Sequence, residues 1–153
     1  MKPEPVEVAI AILHRSGKFL MQLRDNTPGI VYPGHWGLFG GHLEPDETPE
    51  AALTRELLEE IGYEVRSPIK FGCYNDARVI RHVYHAPLTV GLDRLNLQEG
   101  WDLGLLTPDE IDRGSAYSAK AASVQPFGHP HQQILLDFIG KGKRQEAEGR
   151  REF

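Results

Sequence analysis

Glu56, Glu59 and Glu60 stand at i, i+3 and i+4 within GHLEPDETPEAALTRELLEEIGY, the segment from Gly41 to Tyr63. On a helix they project within an arc of about 100°. Like charges so close repel one another, and no Lys lies one turn away to relieve them. A well-solvated face tolerates the crowding, whereas a hard divalent cation makes use of it. Mg²⁺ takes oxygen ligands in near-octahedral geometry and keeps several waters. Gly40 and Gly41 come just before the cluster, where backbone carbonyls can approach the same ion. Such an ion neutralises negative charge on a substrate, lowers the pKa of a bound water and orients its attack. A neighbouring glutamate that takes the water's proton adds about 10²–10⁴-fold.

Those acids need a helix, and the local signals supply one. Thr48 is a good N-cap, Pro49 suits the first helical position, and Glu50 sits near the positive end of the dipole. The helix is expected from Pro49 to Ile61, stopping at Gly62 in a left-handed conformation. Leu53, Leu57 and Ile61 form its apolar stripe, widened by Leu58, and the acids face away.

Around it, Val6–Leu13 and Lys18–Leu23 read as strands joined by a hairpin turn at Ser16-Gly17. Asp25 to His35 holds two prolines and two glycines and reads as an irregular loop before a short strand, Trp36–Phe39. Ile69–Tyr74 and Val79–Val90 are expected as strands about an Asn75-Asp76 turn, and Arg94–Gln98 as a further strand. Thr107-Pro108-Asp109-Glu110 has the capping-box form and opens a short helix. Ser115–Pro130 is small, polar and aperiodic, hence loop, and Pro130–Ile139 is a helix with Ile134, Leu135, Phe138 and Ile139 inward. One domain is expected over residues 1–140, with 141–153 a charged, mobile tail.

The bulk numbers narrow the classes. A chain of 153 residues suits one domain, and 40% hydrophobic with 25% charged residues is ordinary for a globular protein. Cys73 is alone, so no internal disulfide calls for an oxidising compartment. MKPEPVEVAI lacks the basic start and apolar run of a signal peptide, and no stretch reaches the length of a membrane span. A cytoplasmic protein is expected. Net charge is −5; setting aside the tail's five basic and three acidic residues from 17 and 22 leaves 12 against 19, a body of −7. Duplex-binding domains carry the opposite balance, so a nucleic-acid duplex is not an expected partner.

As a pattern the segment is Gly41, five residues, Glu47, seven residues, Arg55-Glu56-Leu57, one residue, Glu59-Glu60, one residue, Gly62. It resembles the Nudix box, the signature of Nudix hydrolases, at every charged and glycine position. The one departure is Tyr63, where the family has Ile, Leu or Val. The resemblance implies an α/β fold, an α/β/α sandwich with a central mixed β-sheet and a loop–helix–loop catalytic motif. It implies metal-assisted hydrolysis of a nucleoside diphosphate linked to another group, with Mg²⁺ as cofactor and Mn²⁺ as a substitute.

Carried over by position, Glu59 and Glu60 are metal ligands, Glu56 is a further ligand or the group that activates water, and the Gly40 carbonyl completes the shell. Arg55 pairs with Glu47 to hold the loop over the helix. Many members have a Glu-Gly pair at the place of Glu99-Gly100, which makes Glu99 a candidate ligand or base. Arg24, at the end of the second strand, is a candidate for substrate phosphate or for a surface salt bridge. The box does not select the nucleotide, and both monomers and homodimers are compatible with the sequence. The alternative reading is a Nudix fold kept as a non-hydrolytic nucleotide sensor, although this box has lost none of its acids.

The histidines do not make a zinc site: His82 and His85 point to opposite faces of a strand, and His129-Pro130-His131 reads as loop. His42 lies beside the glycines without an assignable role. Trp36, Phe39 and Trp101 read as core or pocket wall.

Overall fold

A computed structural model describes residues 4–151, with side chains to Arg144. Its centre is β1, Val6–Arg15, whose alternating side chains supply two cores. Ala9, Ala11 and Leu13 point to one face and Ile10 and Ile12 to the other.

Strand β2, Lys18–Leu23, returns antiparallel from β1 through Ser16 and Gly17, whose φ values of 52° and 75° are those of a tight hairpin turn. Strands β3, Trp36–Gly37, and β4, Phe39–His42, are short; β3 pairs with β2, and β4 pairs antiparallel with β1. Helix α1, Pro49–Ile61, occupies the expected span, with the Thr48 hydroxyl accepting from the Ala51 N–H and Gly62 left-handed at φ 64°.

Strands β5, Ile69–Asn75, and β6, Val79–Pro87, form a hairpin, and β6 runs parallel to β1. Asp76 closes the turn by accepting from the N–H groups of Arg78 and Val79. Strand β7, Asp102–Leu106, pairs with β2, and α2, Pro108–Arg113, begins with the capping box at Thr107 and Glu110. Strands β8, Ser115–Ser118, and β9, Ser123–Pro126, form a separate two-stranded sheet before α3, His129–Arg151. The large sheet is mixed, with β3-β2-β1-β6-β5 as its path. Helix α1 packs Ala52, Leu53, Leu57 and Ile61 on one face, while Ile111 of α2 and Ile134 and Leu135 of α3 pack on the other.

Four expectations are corrected. Arg94–Gln98 is not a strand: Leu92–Arg94 is a 3-10 turn, and the segment after it is tied to the end of α1, Asn96 N–H to Ile61 O and Gln98 N–H to Glu60 O, both 3.0 Å. Residues 115–130 hold the β8–β9 hairpin because Tyr117 and Val124 pair across it despite their exposure. Leu58 does not widen the buried stripe, being 48% exposed. Helix α3 continues past Ile139 through the expected tail to Arg151, and residues 152–153 of that tail lie outside those described. None of the described helices is long and apolar enough to cross a membrane.

Candidate active site

The loop between β4 and α1 is fixed by an arginine. Arg55 donates through Nε and Nη2 to the two oxygens of Glu47, both at 2.9 Å, and Nη2 also donates to the His42 carbonyl at 3.0 Å. Its Nη1 reaches Glu56 at 3.0 Å and Glu59 at 3.4 Å. The cation that relieves the acidic face is thus Arg55, on the helix itself. Glu47 also accepts from the Glu44 N–H at 3.0 Å. Arg55 and then that N–H hold the Glu47 carboxyl down to about 2.

Two glycines bring the strand against the helix. A Cβ on Gly41 would land on the Glu56 carboxyl group, and one on Gly40 would overlap the Ala9 carbonyl, where φ is 153°. Glu60, one turn after Glu56, is largely buried and lines a cavity together with both glycines. Burial pushes its carboxyl up to about 7, repulsion from Glu56 adds to this, and the Gly40 backbone and Arg24 oppose it. Its Oε2 is buried without a hydrogen-bond partner, as is Nε of Arg24.

Glu56, Glu59, Glu60 and Glu99 line one cavity of about 380 Å³, with Arg24 and Gln22 on its wall. Glu99 reaches it because its loop is pinned on one side to α1 and on the other to β2, where the Trp101 N–H donates to the Leu23 carbonyl at 2.8 Å. A second cavity of about 400 Å³ adjoins it, sharing Gln22, Arg24, Glu56 and Glu60. Gly40 lines this second space, which is walled by Val31, Tyr32 and Trp36.

Among the described residues, no three carboxylate, imidazole or thiolate side chains converge at ligating distance of one point. The acids share a cavity but stand apart, with Glu56 and Glu59 drawn to Arg55. The donor set nonetheless fits a hard divalent cation: it is all oxygen, and it includes a buried carboxylate oxygen lacking a partner.

Elsewhere, Tyr63 is buried and its hydroxyl sits between Pro87 O at 3.2 Å, Thr89 Oγ1 at 3.0 Å and Thr89 N–H at 3.1 Å. The departure from an aliphatic residue is absorbed as a tie between the end of α1 and the end of β6. Trp36 and Phe39 are core, and the Gly128 N–H donates to the Trp36 carbonyl at 2.9 Å. His82 bonds Glu7 at 2.9 Å, and His85 packs on His14 and Phe138. His131 is not in a loop but in the first turn of α3, lining the second cavity with Arg81. Sequence reasoning missed both; only the fold shows that β6 and α3 reach the same space.

The family model for the NUDIX domain matches residues 3–135. A MutT-like protein of Streptomyces ambofaciens is 30% identical over 130 residues, covering 82% of this chain and 80% of that one. A CTP pyrophosphohydrolase of Escherichia coli is 36% identical over 86 residues, 54% of this chain; the chain spans only 62% of that relative's length. The crystal structure of a MutT NUDIX hydrolase from Burkholderia pseudomallei superposes with a TM-score of 0.67 at 25% identity, covering 87% of this chain and 97% of that one.

Proposed function

This chain belongs to the Nudix family of hydrolases, and we propose that it cleaves a pyrophosphate bond in a small nucleotide, a nucleoside diphosphate linked to a further group, with Mg²⁺ or Mn²⁺. The observation that carries the reading is the wall shared by the two cavities, where the partnerless Oε2 of Glu60 and Nε of Arg24 lie between an acidic space and a largely apolar one. A nucleotide has the matching halves: an anionic chain that needs cations and a flat base that needs apolar walls.

Glu56, Glu59, Glu60, Glu99 and the Gly40 carbonyl would hold the cation, which supplies charge neutralisation and an acidified water. Arg24 grips a phosphate oxygen with its guanidinium group, which lines both cavities. Glu99, opposite α1, or Glu56 takes the water's proton. Arg55 and Glu47 line neither cavity; they position the loop and limit the swing of Glu56 and Glu59.

The test is a product-resolved screen of the purified protein with Mg²⁺ or Mn²⁺ against nucleoside triphosphates, nucleotide sugars and dinucleotides. Metal-dependent turnover of one class supports the hydrolase and names the bond cut. Tight binding of a nucleotide without turnover under either metal would favour the sensor.

A further inference from the structure

His131 has a fixed tautomer. The Leu38 N–H donates to its Nδ1 at 3.0 Å. A neutral imidazole has one acceptor nitrogen and one N–H. With Nδ1 accepting, the proton sits on Nε2, so a backbone bond has made this side chain a donor. The ring stays neutral: burial, then the charges of Arg81 and Arg24, push its pKa down to about 4. A Cβ on Gly37 would lie 3.7 Å from the ring and one on Gly128 3.3 Å, so these glycines leave the imidazole close cover without crowding.

Arg81 and Arg24 line the same cavity. Arg81 gives Nη1 to Asp76 at 2.9 Å, and Nε of Arg24 is unpartnered. All three side chains offer N–H groups, and none offers an acceptor; apart from the Tyr32 hydroxyl and the His42 ring, the acceptor side chains of this cavity, Gln22, Glu56 and Glu60, stand on the wall it shares with the acidic cavity. Trp36 adds an apolar wall only, because its Nε1 already donates to the Ala116 carbonyl at 3.1 Å.

Resting on the nucleotide-hydrolase reading, we propose that His131 determines base specificity: its Nε2–H donates to a carbonyl oxygen of the nucleobase, so the site takes carbonyl-bearing bases in preference to adenine. An exocyclic amine turned toward these donors sets N–H against N–H and leaves buried polar groups unpaired. That penalty exceeds what a single hydrogen bond gains.

Inosine triphosphate and ATP differ only along one edge of the purine, a 6-carbonyl beside N1–H in the first and a 6-amine beside a bare N1 in the second. Initial rates with both are measured for the full chain, for His131→Leu and for His131→Asn, with ribose 5-triphosphate as a base-free control. The native enzyme should show a KM at least about tenfold lower for inosine triphosphate, since one net hydrogen bond supplies about that and the unpaired donors facing an amine add to it. His131→Leu should erase that ratio by raising KM for inosine triphosphate, a change larger than any in the base-free substrate. His131→Asn should keep it, its amide oxygen taking the Leu38 N–H and its NH₂ remaining a donor.

Equal KM values in the native enzyme would overturn the proposal. So would a loss in His131→Leu that is the same for both nucleotides and for the base-free control, since that marks a merely structural residue. Should neither nucleotide be hydrolysed, nucleoside triphosphates are not the substrate class, and the hydrolase reading is decided by the wider panel of nucleotide sugars and dinucleotides. Calorimetric binding of the same two nucleotides with Mg²⁺ then decides the role of His131 by the same ratio.

Discussion

Arg55 and Glu47 form a two-pronged ion pair, both contacts at 2.9 Å, that joins the middle of α1 to the loop before it. The fork matters for geometry more than for charge, since a planar guanidinium fixes the angle as well as the distance. Arg55→Lys keeps the charge and loses the fork. Metal-dependent turnover should fall by about 10²-fold, the cost of a misplacement near 1 Å. Steady-state kinetics beside an unchanged circular dichroism spectrum would establish this; activity within twofold of native would refute it.

Glu60→Gln should fold and lose metal-dependent turnover at saturating Mg²⁺. A second readout follows from linkage. The folded-state pKa of Glu60 is raised from 4.5 to about 7, so the native state holds a proton that the unfolded chain has released. The metal-free protein therefore loses stability from this group as pH rises from 4.5 to about 7, by up to roughly 3 kcal/mol. Glu60→Gln removes that slope, and added Mg²⁺ should raise the native melting temperature most above pH 7. Melting curves from pH 4.5 to 8 would show both effects.

Glu99→Gln measures the wall opposite α1. A loss of at least tenfold in kcat is expected if this carboxylate is a ligand or the base, and a smaller loss makes it peripheral.

Gly41→Ala and Gly40→Ala should fail in different ways. The methyl at Gly41 displaces the Glu56 carboxyl, an end that can swing, so the protein folds and turnover drops. The methyl at Gly40 meets the backbone of Ala9 in the central strand, which cannot yield, so the melting temperature drops. Parallel melting and kinetic measurements separate the two.

Tyr63→Phe should cost about 1–2 kcal/mol, because the Thr89 N–H and the Pro87 carbonyl lose their partner. Turnover should not change, which denaturant titration and kinetics together would verify.

The legible parts of this chain were those governed by local rules. The capped helix from Pro49 to Gly62, the Ser16-Gly17 hairpin and the capping box at Thr107 stand where their spacing put them, and Arg55 pairs with Glu47 as the resemblance to the Nudix box implied. The segment after the 3-10 turn misled because its bonds go to α1 and not to a strand. The β8–β9 hairpin was hidden because Tyr117 and Val124 are apolar and exposed, while their polar neighbours face inward. His131 was illegible for a similar reason. Its partner, the Leu38 N–H, is remote in sequence, and nothing near residue 131 announces the encounter.

Strands β1 and β6 lie side by side in parallel from Val6 opposite Val79 to His14 opposite Pro87. Pairing so remote in sequence must pay its loop-closure entropy before any contact repays it, and it is slow to form. Helix α1 and both glycines lie inside the loop that this pairing closes. A chain still emerging from synthesis can therefore make the acidic helix early but cannot shape the second cavity, which needs Val79 and Arg81, until β6 has docked. Hydrolytic competence should thus arrive with the last and slowest phase of refolding, behind the gain of helical signal.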